Sequence, residues 1–253
     1  MFKRFMTLFF LSVVTACVTT GESRVSKVDK DKAYAAHVEL GLTYLKRDSR
    51  ESSRRHLEKA VKLKPDAAPA HNGFGLLYQL TGETELAEKS FKKSLSEAPN
   101  YSEGRVNYGR FLYELGRYQE AYDQFEKASQ DVSFPRRALA LTYLGQSALK
   151  LDNNLKAKSS FQHAANLDNK LALAMIELGD LYYDEQNYAE SKRYLDQYVA
   201  LVGRTSRSLW LGIRIERVFG NKDKEASYAL ALKNLYPYSK EYLLYKKALE
   251  KNW

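Results

Sequence analysis

An all-α solenoid of stacked helix pairs is the architecture this sequence predicts, and three regularities predict it. Glycine recurs at Gly41, Gly75, Gly109, Gly145, Gly179 and Gly212, with spacings of 34, 34, 36, 34 and 33 residues, a period typical of two-helix repeats. A large residue precedes each glycine (Leu40, Phe74, Tyr108, Leu144, Leu178, Leu211), and Tyr44, Tyr78, Leu112, Ala148, Tyr182 and Ile215 stand three residues after it. The first four units then carry a small residue, a large one four later and a small one three after that: Ser53-Leu57-Ala60, Ala87-Phe91-Ser94, Ala121-Phe125-Ala128 and Ala157-Phe161-Ala164. At helical pitch these spacings gather small and large side chains on one face, where the small ones admit a neighbouring helix and the large ones fill the gap.

The combined pattern is the tetratricopeptide signature, and it sets the order of elements. Pro65 and Pro99 each lie 24 residues after a glycine, where proline ends a second helix by pushing the preceding residue out of helical geometry. Pro135 and Pro237 do so slightly out of register. Six repeats are expected at residues 34–67, 68–101, 102–135, 138–171, 172–204 and 205–238, wound as a right-handed superhelix. Repeats five and six drift from the pattern: Tyr198 stands where a small residue is usual, and an extra residue separates Gly212 from Pro237. Residues 239–253 are expected to form a capping helix with Tyr242, Leu243, Tyr245 and Leu249 on its apolar side.

Ahead of the repeats the chain reads as an address. Lys3 and Arg4 form a basic start and Phe5 to Val14 an apolar run, too short for the roughly 20 residues of a membrane-spanning helix. Val14-Thr15-Ala16-Cys17 follows and resembles a bacterial lipobox, in which a signal peptidase cuts before a lipid-bearing cysteine. The expectation is a signal peptide over 1–16 and a lipid on Cys17, with an ordinary secretory signal as the alternative. Cys17 is the only cysteine in the chain, so no internal disulfide accounts for it. Several acyl chains would give stable anchoring where one gives marginal binding. Val18 in place of aspartate goes, in lipoproteins that this segment resembles, with sorting to the outer membrane. Residues 17–33 are polar and without helical periodicity, and are expected to be a flexible tether.

Composition narrows the functional classes. With 253 residues, 44% hydrophobic and 13% aromatic, the chain buries a sizeable core. Its formal charge of +9 raises nucleic acid as a partner, but Lys and Arg alternate with Glu and Asp along second helices, as in EKSFKKSLSEAP, which reads as solvated surface. No nucleic acid is therefore expected. The glycines never cluster into a phosphate-binding loop, and no H-E-x-x-H or C-x-x-C spacing occurs. His37 and His71, 34 residues apart, are expected to serve inter-helix contacts. Asp180 and Asp184 sit one turn apart beside a solvated acidic run and are not expected to act as an acid and base. No catalytic residue, metal site, cofactor or small-molecule substrate is expected; the anticipated partner is a protein.

In a tetratricopeptide stack the first helices line the concave side. Counting from each repeat's start, positions 5, 9 and 12 are expected to face it: Val38, Leu42 and Leu45; Asn72, Leu76 and Gln79; Val106, Arg110 and Tyr113; Thr142, Gln146 and Leu149; Ile176, Asp180 and Tyr183. The first trio is wholly apolar and suggests a docking groove for an amphipathic helix or strand. The alternative is that residues 30–40 pack over it. Further along, Asn72, Gln79, Arg110, Gln146 and Asp180 offer directional hydrogen bonds to an extended peptide.

The lipobox, the short polar tether and six such repeats, with the N-x-G-x-F-L-Y and G-R-Y-x-E-A-x-x-x-F runs of residues 39–128, together resemble the PilW/PilF-type pilotin lipoproteins of type IV pilus biogenesis. That resemblance implies a non-enzymatic adaptor that brings a secretin subunit to the outer membrane and promotes its multimerisation. A tetratricopeptide lipoprotein of another envelope machine, for outer-membrane protein assembly or cell-wall hydrolase recruitment, is the alternative.

Overall fold

The structure, a computed structural model, describes residues 27–251. Among them are thirteen α-helices and no strand, arranged as six antiparallel pairs and a final single helix. The pairs are α1 (Lys27–Lys46) with α2 (Arg50–Leu63), α3 (Ala68–Thr81) with α4 (Thr84–Glu97), and α5 (Ser102–Glu114) with α6 (Tyr118–Gln130). They continue as α7 (Arg137–Lys150) with α8 (Asn154–Leu167), α9 (Ala172–Asp184) with α10 (Tyr188–Val202), and α11 (Ser206–Val218) with α12 (Lys222–Leu235). The last helix is α13 (Lys240–Glu250). Each helix packs on its pair partner and on the next repeat, and first helices also touch first helices, as α1 does α3 and α3 does α5. The result is the expected right-handed all-α solenoid.

The periodic glycines make the pairs possible. A β-carbon on Gly75, Gly109 or Gly145 would stand 2.6, 2.7 or 2.7 Å from the ring of Phe91, Phe125 or Phe161 respectively. Those three rings are fully buried and form the axis of the largest core cluster, which runs from repeat two into repeat five. Leu57 fills the same place against Gly41, and Tyr228 against Gly212. At Gly179 the nearest side-chain atom belongs instead to Leu211 of the next repeat, 3.0 Å away. The fifth repeat therefore closes its gap from outside, which is why its own sequence departs from the pattern.

A second period lies in the turns within pairs. Asp48, Gly82, Gly116, Asp152, Gln186 and Gly220 all have positive φ, between 55° and 78°, the left-handed geometry that ends a helix and reverses the chain. Only half of these positions carry glycine, so the regularity is invisible as a residue pattern.

Two expectations are corrected. Helix α1 begins at Lys27, inside the segment expected to be tether, because a helix nucleated by buried Tyr34 and Val38 extends backward through charged residues that tolerate helix well. Asp31 anchors this extension through an ion pair to Lys64, the residue that ends α2, at 2.9 Å, and the Lys64 ammonium lies 4.9 Å from the Tyr34 ring centre. In α13 only Tyr242 and Tyr245 turn inward to meet Trp210, whereas Leu243 and Leu249 face solvent. The expected signal peptide over 1–16, Cys17, the tether up to residue 26, and residues 252–253 lie outside the described residues.

Candidate functional site

The concave face divides by position along each first helix. Position 5 is interior throughout: Val38, Asn72, Val106, Thr142 and Ile176 are at most 8% exposed. The expectation that they face a partner is corrected, because this end of each first helix is buried among neighbouring helices. Asn107 of α5, for example, donates a hydrogen bond of 3.1 Å to Asn72 of α3. Val38 belongs to a cluster with Tyr34, Ala60 and Ala70 against which Leu42 packs, and Ile176 packs with Leu195, Leu211 and Ile215. Thr142 turns its hydroxyl back to the carbonyl of Ala138 at 2.9 Å.

Of positions 9 and 12 in the first three repeats, Leu45, Leu76, Gln79 and Arg110 line one groove. Leu45, Lys46, Leu76, Gln79, Leu80, Arg110 and Glu114 enclose about 420 Å³. The expected apolar trio is thus split: Val38 is core, Leu42 packs, and Leu45 lines the groove beside Leu76 and Leu80. Gln79 donates to Glu114 at 2.7 Å, fixing one wall, and the exposed Arg110 guanidinium sits 5.7 Å from the Tyr143 ring centre. The floor is leucine and the rim is one amide and three charges of both signs. Lys46, Leu80 and Glu114 were not anticipated. All three stand four residues after position 9, so one more helical turn of the same count finds them.

Further along, the surface closes. Tyr113 is half-buried and packs edge-on against Tyr118, with ring centres 5.1 Å apart; burial raises the pKa of its phenol. Gln146 is half-exposed. Asp180 is not available to a peptide: Arg207 of α11 donates to one of its oxygens at 2.9 Å and Arg214 to the other at 2.6 Å. Arg207 also makes a two-pronged contact with Glu177, at 3.0 and 2.7 Å. Burial works against the charge on Arg207, but the hydrogen bonds and charges of Glu177 and Asp180 outweigh it and raise its pKa. The Arg214 guanidinium lies 4.5 Å from the Tyr183 ring centre, and burial raises the pKa of that phenol. Burial also raises the Asp184 carboxyl, with Arg214 opposing and Asp180 adding to the shift. Asp180 therefore serves a network that binds repeat five to repeat six.

The histidines form no metal centre; among the described residues no group of three or more His, Cys, Asp or Glu converges on a site. His37 meets His56 of α2, with Nδ1 atoms 3.0 Å apart, and His71 donates to the Pro65 carbonyl at 2.6 Å. Both make helix-to-helix or helix-to-turn contacts, each in its own way.

Residues 38–102 and 74–133 match the tetratricopeptide-repeat family. Over 238 residues the chain is 38% identical to the type IV pilus assembly protein PilF of Pseudomonas aeruginosa, covering 93% of this chain and 94% of that protein. The chain belongs to the PilF/PilW family of tetratricopeptide proteins. A solved structure of Pseudomonas aeruginosa PilF superposes with a TM-score of 0.82 at 36% identity, over 86% of this chain and 98% of that one. A crystal structure of PilW, a widely conserved type IV pilus biogenesis factor, gives 0.71 at 24% identity, over 84% and 98%, a likeness of fold. So does YrrB, a tetratricopeptide protein with an unusual peptide-binding site, at 0.63 and 19%, over 76% and 97%. As a PilF/PilW protein the chain works in type IV pilus biogenesis through protein partners, on a scaffold whose family consists of protein-interaction modules.

Proposed function

We propose that this protein is a pilotin: a lipoprotein anchored through Cys17 on the periplasmic face of the outer membrane, which binds a secretin subunit and promotes its localisation and multimerisation. The observation that carries the reading is the near full-length match to PilF. The leucine-floored groove of the first three repeats supports it, because an amphipathic segment laid there buries its apolar side on Leu45, Leu76 and Leu80 and meets Lys46, Gln79, Arg110 and Glu114 with its polar side. The groove lies in the repeats nearest Cys17 in sequence. Holding anchor and cargo close raises the effective concentration of secretin subunits at the membrane, so assembly is promoted with no bond made or broken.

Two substitutions test the two halves separately. Leu45→Glu places a charge on the groove floor and is expected to weaken secretin binding by about tenfold or more, equivalent to about 1.4 kcal/mol, while circular dichroism reports an intact stack. Cys17→Ala is expected to leave binding intact but disperse the protein and its secretin from the outer membrane. Unchanged secretin affinity in the first variant, or normal outer-membrane secretin multimers in the second, overturns the corresponding half.

A further inference from the structure

The far end of the stack does not look like a cap. A terminal unit of a solenoid needs a polar outer face to stay soluble. Here residues 226–251 expose Leu230, Leu235, Tyr238, Leu243, Leu244 and Leu249, with Leu230, Leu235 and Tyr238 at 59%, 62% and 96%. The same segment holds five lysines, Lys233, Lys240, Lys246, Lys247 and Lys251, against two acidic residues, Glu241 and Glu250. Among the described residues every salt bridge lies at or before Glu225. Earlier in the chain six lysines are paired, Lys64, Lys92, Lys93, Lys156, Lys158 and Lys192. Among the described residues none of the closing five is in an ion pair.

We propose that this carboxy-terminal end, the tip of α12 through α13, docks on an anionic lipid surface. The chemistry selects that occupant. Leucines and the exposed Tyr238 interleaved with lysines suit a headgroup boundary, where ring and aliphatic chains sink part-way and ammonium groups stay at the phosphates. A protein–protein interface is instead depleted in lysine and enriched in arginine and tryptophan. A second copy of this chain fits worse, because a two-fold interface sets the same lysines against each other. This goes beyond the pilotin reading and stands without it, since it concerns residues 226–251 alone.

The test uses the full chain carrying Cys17→Ala and Tyr238→Cys, with a polarity-sensitive dye on the new thiol. It is added to vesicles of phosphatidylcholine alone or with phosphatidylglycerol. The expected result is a blue shift, with quenching by a nitroxide-bearing lipid about threefold or more stronger on the anionic vesicles. Both signals should fall to the neutral-vesicle level in high salt or when Lys240→Gln, Lys246→Gln and Lys247→Gln are combined. A dye at Glu83→Cys, in the turn between α3 and α4, should stay in water on both. Equal quenching on the two vesicle types, or quenching indifferent to the lysine changes, overturns the proposal. So does a dimer in lipid-free solution that reproduces the blue shift, which would assign the surface to a second copy.

Discussion

Replacing Gly109 with alanine adds one methyl group at the tightest kind of contact in the stack. An ideal β-carbon there falls 2.7 Å from Cε1, 2.9 Å from Cζ and 3.0 Å from Cδ1 of Phe125. Carbon atoms rest at about 3.5–4.0 Å, so the ring or the helix must retreat by roughly 0.8 Å. Phe125 is fully buried and stacks on Tyr143 with ring centres 5.3 Å apart, which leaves it little room. Overpacking of this kind costs about 1–3 kcal/mol, and the better helix propensity of alanine returns about 1 kcal/mol. The net expectation is a loss of about 1 kcal/mol. Phe125→Leu removes Cε1 and Cζ, so the double variant should be less destabilised than the sum of the singles by about 1 kcal/mol. Urea unfolding followed by circular dichroism measures the cycle, and amide exchange in α5 and α6 localises it, since a solenoid need not unfold as one unit. Additivity within about 0.3 kcal/mol would refute the claim that this glycine exists to admit the ring.

Two further outcomes follow from geometry already described. Glu88 is held well below its usual 4.5, at about 2, by hydrogen bonds from Arg117 and then Lys92, with burial opposing and Tyr108 adding. A depressed carboxylate stabilises the fold above its unfolded pKa and loses that effect as pH falls through its folded one. The loss should run between pH 4.5 and about 2 and shrink in Arg117→Gln; a carboxyl-carbon titration midpoint near 4.5 in the unmodified protein would contradict it. Gln186 holds φ at +60° where the second, third and sixth repeats place Gly82, Gly116 and Gly220. Gln186→Gly should relieve about 1 kcal/mol and raise the melting temperature by about 2–4 °C, and a lower melting temperature would show that the side chain earns its place.

What could be read from the sequence was what recurs. The glycine, its partner on the second helix of the pair and the proline at the end of that helix are local and periodic, so the six pairs and their order followed. The concave face was read one turn too far toward the helix start. Val38, Asn72, Val106, Thr142 and Ile176 are buried by neighbouring helices, Asn72 and Ile176 by the next first helix, and that depends on how repeats cross rather than on any period. The fate of Asp180 was hidden for the same reason, since Arg207 and Arg214 lie 27 and 34 residues downstream. The early start of α1 has no apolar stripe to announce it. Its register is fixed by Asp31 meeting Lys64, a contact across the pair.

Because each pair touches only its neighbours, the stack is also a mechanical series. A pull that enters at one end and leaves at the other passes undiminished through every seam. The seams differ in their share of charge: repeats two and three are joined by the Asn72–Asn107 amide bond beside one ion pair, Arg117 with Glu88, whereas repeats five and six are joined by Arg207 and Arg214 on Glu177 and Asp180. Salt screens charge and leaves amide bonds nearly untouched. Added salt therefore loosens such a rod by a different amount at each seam.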